Sequence, residues 1–250
     1  MSTATPTNWF DAGGSAYTAH RPDYPPALAD FLARACSTHA LAVDVGCGTG
    51  QLTRLLAPHF DAVVGLDSSA DQLHNAAPAA GVIYQQASAE HLPVAPGSAN
   101  LVTVAQAAHW FDLSAFYAQV RQVAAPGAVV ALISYATPQL EPNLQPRFAR
   151  FYADDLGAYW PAERRQVDSG YAELEFPFAE FDYPPLAIER NWTLADTLGY
   201  FGTWSAVRRA REARQQPMLQ AYAEALAAQW GDPLQRRAIF WPINMRIGRL

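Results

Sequence analysis

With 250 residues, half of them hydrophobic, the chain is long enough to bury one sizeable core and to carry a small appended cap. A formal net charge of -6, with no basic run longer than pairs such as Arg208-Arg209, weighs against a nucleic-acid substrate, which calls for a basic face. Two cysteines, Cys36 and Cys47, build neither a disulfide framework nor a zinc spacing, and the sequence shows no apolar leader and no run of ~20 apolar residues, so a cytoplasmic protein with no metal and no membrane span is expected.

Residues 1–25 are aromatic and glycine-containing without a period, the character of a lid, with Trp9, Phe10, Tyr17 and Arg21 its most distinctive side chains. Pro25-Pro26 then opens a helix whose Leu28, Phe31, Leu32 and Ala35 recur at i, i+3, i+4 and i+7. A short apolar strand over 41–45 runs into Gly46-Cys47-Gly48-Thr49-Gly50, and Leu52, Leu55 and Leu56 continue as a helix over 50–58. A second strand at 62–67, a helix over 69–77 and a third strand at 82–86 follow. The loop 87–98 carries Ala89, Glu90, His91 and Pro93 and leads to a fourth strand at 100–105. A helix over 114–124, the Pro126-Gly127 turn and a fifth strand at 129–134 complete the pattern. Five short apolar runs alternating with helical periods predict a parallel, doubly wound α/β sheet.

After Tyr135 the pattern changes. Pro138, Pro142 and Pro146 mark an excursion, and Phe148, Phe151, Tyr152, Leu156, Tyr159 and Trp160 suggest an aromatic helix, so 138–185 reads as a cap inserted between strands. A sixth strand is expected at 186–192, helices over 194–210 and 217–229, and a last strand at 237–249. In that strand Ile239, Trp241, Ile243, Met245 and Ile247 alternate at period two. The whole of 1–250 thus reads as a single domain. Residues 26–137 form its cofactor-binding core, and 186–250 complete the sheet.

The glycine turn separates two ligand readings. A dinucleotide fingerprint is G-x-G-x-x-G, but Gln51 stands where its third glycine belongs, and Asp44 just before the turn would repel a pyrophosphate. Both features disfavour an NAD(P)-dependent dehydrogenase. A cationic ligand free of phosphate, such as S-adenosylmethionine with its sulfonium and ammonium, suits the turn better. Asp67, closing the next strand about 20 residues on, stands where an acid can accept two ribose hydroxyls.

Asp44-Val45-Gly46-Cys47-Gly48-Thr49-Gly50, followed by Val63-Val64-Gly65-Leu66-Asp67, resembles the first two motifs of class I S-adenosylmethionine-dependent methyltransferases. Arg21-Pro22-Asp23-Tyr24-Pro25, Ala89-Glu90-His91-Leu92-Pro93, Gln106 to Phe111, Gly199 to Ser205 and Trp241-Pro242 extend the similarity over nearly the whole chain. They are similar to the type-11 methyltransferase subgroup that contains the trans-aconitate methyltransferases. The resemblance implies a mostly parallel, seven-stranded Rossmann-like sheet with an inserted helical, aromatic cap, and S-adenosyl-L-methionine as cofactor. It puts Asp44 near the methionine ammonium and lets Gly46, Cys47, Gly48 and Gly50 pass the methionine and ribose. Asp67 would take the ribose hydroxyls, Ser68, Ala89 and Glu90 the adenine, and the Ala105 carbonyl the ammonium. Arg21 would meet the methionine carboxylate, with Tyr17 covering it.

His109 then follows the fourth strand beside the transferring methyl, as a base, a hydrogen-bonding group for a substrate that needs no base, or a structural histidine. Trp9, Phe10, Trp110, Tyr135 and Trp204 are candidate walls of a substrate pocket. The expected substrate is a small molecule, with carboxyl O-methylation of an acid such as trans-aconitate foremost. A hydroxyl or amine metabolite, an RNA, or a non-catalytic cofactor-binding protein remain the other readings. Oligomeric state is not specified by these patterns.

Overall fold

A computed structural model describes residues 22–250, so Trp9, Phe10, Tyr17 and Arg21, and with them most of the expected lid, lie outside the described residues. Helix α1, Pro26–Ala35, begins at the proline pair, where Pro26 gives up an N–H that no helical carbonyl would accept. Its buried face is Leu28, Ala29, Leu32 and Ala33.

The alternation seen in the sequence follows as β1 (Leu41–Val45), α2 (Gln51–Leu56), β2 (Ala62–Asp67), α3 (Ala70–His74), β3 (Val82–Gln86), β4 (Ala99–Ala105), α4 (Leu113–Val123) and β5 (Ala124–Tyr135). Helix α3 stops short of the expected 77 because Asn75 closes it, its side-chain amide donating to the Asp71 carbonyl at 2.8 Å. Strand β5 begins earlier than its apolar run. Ala124 pairs with Ala99 and Val129 with Leu101, so the Pro126-Gly127 turn is a bulge within the strand.

The sheet runs β3-β2-β1-β4-β5-β8-β6, where β8 is Arg237–Arg249 and β6 is Ala179–Glu180; a further strand, β7 (Leu186–Trp192), also pairs with β8. Strands β1 to β5 are parallel and β8 is antiparallel to β5. The sheet has eight strands, one more than the seven expected, because the two-residue β6 is too short to carry an alternation. In β8 the predicted inward set, Ile239, Trp241, Ile243, Met245 and Ile247, is buried throughout.

The chain divides into two compact units. One comprises Asp23–Thr137, Arg165–Ile188 and Pro242–Leu250. Its core stacks Val43, Val45, Val102, Val104, Val130 and Leu132 of the parallel strands against Phe116 and Val120 of α4. The other comprises, among the described residues, Pro22, Pro138–Arg164 and Glu189–Trp241. There α5 (Gln145–Arg150) continues as a π-helical turn, Phe151–Asp155. The short α6 (Arg164–Asp168) leaves this unit for the first.

The expected helix over 194–210 is two helices, α7 (Leu194–Gly202) and α8 (Ser205–Glu212). The break has a local cause: the Thr203 hydroxyl donates back to the Tyr200 carbonyl at 2.7 Å, and Trp204 is extended. Helix α9, Gln216–Trp230, ends at Gly231 with φ 82°. Stacking of Phe151 on Tyr222, with ring centroids 3.6 Å apart, ties the π-helical turn to α9. Among the described residues no helix is long and apolar enough to cross a membrane.

Candidate active site

Strand order reverses between β1 and β4, so the loops leaving their carboxyl ends diverge and open a crevice there. The glycine loop leaves β1 at this point. Gly46 and Gly50 hold φ of 70° and 79°. A Cβ at Gly46 would stand 2.5 Å from the Ala107 Cβ, and one at Gly50 would overlap the Tyr84 hydroxyl. These two positions therefore exclude a side chain by conformation and by space together.

The loop is pinned to the end of β2. Gly46 and Cys47 donate their N–H groups to the Leu66 carbonyl at 2.7 and 2.9 Å. Gly48 donates to Asp67 Oδ2 at 2.8 Å, and Ser69 donates to Asp67 Oδ1 at 2.9 Å. Each Asp67 oxygen keeps a second lone pair, so the carboxylate can order the loop and still accept two ligand hydroxyls. The residues present therefore fit the ribose of S-adenosylmethionine.

Asp44 sits beneath the loop, with 1 % of its surface exposed. Thr53 of α2 donates its hydroxyl to Oδ2 at 2.7 Å, and Thr103 of β4 donates to Oδ1 at 2.8 Å. Burial pushes the carboxyl up to about 6, against the pull of these two hydroxyls, and the charge of Asp67 adds to the rise. An ammonium expected near Asp44 would meet a carboxylate whose two oxygens are already held by these hydroxyls. Cys47 is buried in the same loop, and burial pushes its thiol up as well.

The residues expected to meet the adenine lie just past β2 and in the loop before β4. Ser68 is exposed, and its carbonyl accepts from the Gln86 amide at 2.9 Å. Ala89 is buried, whereas Glu90 is exposed and its Oε1 accepts the Asp112 N–H at 3.2 Å, tying this loop to the start of α4. Ala105 closes β4. The next residue, Gln106, holds φ 58° although it is not a glycine, a conformation that costs on the order of 1 kcal/mol. Its N–H donates to the Ile133 carbonyl at 2.9 Å, which fixes the exit of β4.

That exit leads into a single 3-10 turn, Ala108–Trp110. His109 lies 3.0 Å through Nδ1 from the Tyr171 hydroxyl, and its ring centroid is 4.8 Å from that of Trp110. Trp110 is 65 % exposed. Tyr135, buried at the end of β5, meets the edge of Tyr24 with centroids 6.1 Å apart. The Gly46–Ala107 approach thus brings the histidine turn beside the glycine loop.

Trp204 belongs to the other unit, where Phe201, Trp160, Tyr200 and Tyr152 surround it with centroids 4.6, 5.4, 5.6 and 5.8 Å away. Thr53, Tyr84, Thr103 and Tyr171 all shape the site without having stood out in the sequence, and Gln106 stood out only as the start of a motif. Among the described residues no group of histidine, cysteine and acidic side chains could hold a metal ion.

A left-handed glycine loop after β1, a ribose-competent acid after β2 and a carboxylate rather than a phosphate nest under the loop define a class I S-adenosylmethionine-dependent methyltransferase. Comparison with known proteins agrees. The methyltransferase-domain family profile matches residues 43–132. A protein of Dictyostelium discoideum described as a methyltransferase is 31% identical over 229 residues, covering 89% of this chain and 87% of the relative. A solved structure described as a type II methyltransferase from Anaeromyxobacter dehalogenans superposes with a TM-score of 0.88 at 41% identity, covering 92% of this chain and 97% of that one. A malonyl-[acyl-carrier protein] O-methyltransferase of Dechloromonas aromatica is 33% identical over 147 residues, 57% of this chain and 54% of the relative. The chain belongs to the methyltransferase-domain family, and S-adenosylmethionine is its cofactor.

Proposed function

We propose that the chain is a cytoplasmic enzyme that methylates a carboxylate oxygen of a small organic acid, with trans-aconitate the leading candidate. The observation that carries this reading is the His109–Trp110 pair at the carboxyl end of β4. An imidazole able to hold a carboxylate oxygen stands 4.8 Å from an exposed indole able to cover a small unsaturated skeleton. When bound, S-adenosylmethionine supplies a methyl group on a sulfonium, an electrophile that a carboxylate can attack without losing a proton first. Alignment and exclusion of water then supply the rate, and no strong base is required. The relative named for O-methylation of malonyl-[acyl-carrier protein] supports a carboxyl acceptor within the family. The net charge of -6 supports a small molecule over RNA.

Transfer of labelled methyl from S-adenosylmethionine to trans-aconitate, a panel of other small acids, and matched alcohols and amines tests the reading. An alkali-labile labelled product from one of the acids is expected. Label transferred only to hydroxyls or amines would overturn carboxyl methylation.

A further inference from the structure

We propose that Tyr171 is a positioning residue that holds His109 as its Nε2–H tautomer, so that the site offers the methyl acceptor a hydrogen-bond donor and not a base. The inference deepens the function proposed above and rests on its placing of the acceptor beside His109.

Tyr171 lies 62 residues beyond His109, in the stretch 165–188, and its side chain is fully buried. Its φ of 65° is unusual for a bulky aromatic, and such strain persists only where the surroundings over-determine it. They do so here. The Tyr171 N–H donates to the Gln166 carbonyl at 2.8 Å, and its own carbonyl accepts from Arg246 Nη1 at 3.3 Å. Arg246 is itself fixed by a two-pronged pair with Glu180, at 2.7 and 2.6 Å. Gly170, also left-handed at φ 64°, lets the turn lie against Asn244, whose Cβ a side chain there would meet at 2.9 Å. The outcome of this construction is a phenol hydroxyl 3.0 Å from His109 Nδ1. The two rings are 6.0 Å apart and tilted by 33°, so they meet through the hydroxyl and do not stack.

The direction of that bond follows from acidity. A phenol, with a pKa of about 10, is a good donor, and an imidazole nitrogen, whose conjugate acid has a pKa of about 6.5, is a far better acceptor than a phenol oxygen. The Tyr171 O–H therefore donates to Nδ1. Neutral imidazole carries one ring proton, and with Nδ1 accepting, that proton is on Nε2. A carboxylate acceptor already bears its nucleophilic lone pair and gains from an N–H that orients it. A hydroxyl or ammonium acceptor would need a lone pair on Nε2 and finds none. Tyr171 is in this way a determinant of acceptor class.

The test is nitrogen-15 imidazole NMR of the full chain at neutral pH, with the His109 signals assigned through His109→Gln. The expected wild-type spectrum shows a pyridine-type Nδ1 and a pyrrole-type Nε2, and Tyr171→Phe, which keeps the buried ring, shows both tautomers in exchange. In methyl transfer to an accepted acid, Tyr171→Phe should lose about tenfold in kcat, the scale of one hydrogen bond. His109→Gln, whose amide N–H can replace Nε2–H, should keep at least about tenfold more activity than His109→Ala, since a base cannot be replaced by an amide. A wild-type spectrum with the proton on Nδ1, or a Tyr171→Phe spectrum identical to wild type, would overturn the inference. The wild-type spectrum decides the tautomer even if Tyr171→Phe fails to fold. It also decides it if no acid is methylated, an outcome that counts against the proposed substrate alone.

Discussion

Asp44 shows how one side chain can be visible in a sequence while its task is not. An acid before a glycine turn reads as a ligand contact, yet here it is buried and bridges α2 and β4 through the Thr53 and Thr103 hydroxyls. Neither threonine is distinctive in the sequence. Thr103 sits in an apolar run, and only the parallel register of β1 with β4 sets it opposite Asp44. The energetic consequence has a definite sign. The folded pKa of about 6 lies above the ordinary value of 3.8, so the folded chain binds this proton more tightly than the unfolded one. Stability from this group is full below about pH 4, declines as pH rises towards about 6, and then levels at a cost of about 3 kcal/mol. Asparagine removes the buried charge, and the hydroxyls can turn to satisfy its amide. Asp44→Asn should therefore hold or raise the melting temperature at pH 7.5 and flatten its fall between pH 4 and pH 6. It should also weaken S-adenosylmethionine binding, because the negative charge below the loop is gone. Thermal denaturation across that pH range checks the first expectation and calorimetry the second. A destabilisation of several kcal/mol at pH 7.5 would mean that the carboxylate's hydrogen bonds outweigh its burial.

The glycine loop was legible as an element because its spacing is chemical, and its neighbours were not because their contacts are made across the sheet. Tyr84 of β3 pairs with Gly65 of β2, and its ring lies over both Gly65 and Gly50. Nothing local to Tyr84 marks it as the wall of a loop more than 30 residues earlier. Strand β6 was equally illegible, being two residues long, and the break between α7 and α8 turned on a single hydroxyl. At Gly50, by contrast, both constraints can be read in one substitution. Gly50→Ala puts a Cβ at φ 79° and into the Tyr84 ring, so a loss of about 2–4 kcal/mol is expected from conformational strain and overpacking combined. Denaturant titration measures it, and the cause is separable. Combined with Tyr84→Ala, the substitution should cost about 1–2 kcal/mol less than the sum of the two single changes. Strict additivity would leave backbone strain as the whole effect and remove Tyr84 as a wall of the loop.

Across the whole molecule, every described residue to which the family resemblance gives a cofactor contact falls in the unit built on the parallel strands, between Asp44 and Ala105. Ligand binding to that unit must appear as folding stability, since a ligand that binds only the folded state stabilises it by RT ln(1 + [L]/Kd). At 100 times its Kd, S-adenosylmethionine is worth about 2.7 kcal/mol, which for a chain of this size is a rise in Tm of about 5–11 °C. Asp67→Ala should weaken cofactor affinity at least tenfold. At the same concentration its stabilisation then falls to about 1.4 kcal/mol and its rise in Tm to about 3–6 °C. The substitution also removes the acceptor that holds the Gly48 and Ser69 N–H groups, so the ligand-free variant should melt below the wild type. Each protein is therefore compared with itself, with and without cofactor, and the quantity that matters is the difference between the two rises. A smaller rise in the variant places the ribose on Asp67. An unchanged rise, with a lowered ligand-free Tm, would confine Asp67 to fastening the loop and hand the ribose to another group in the crevice.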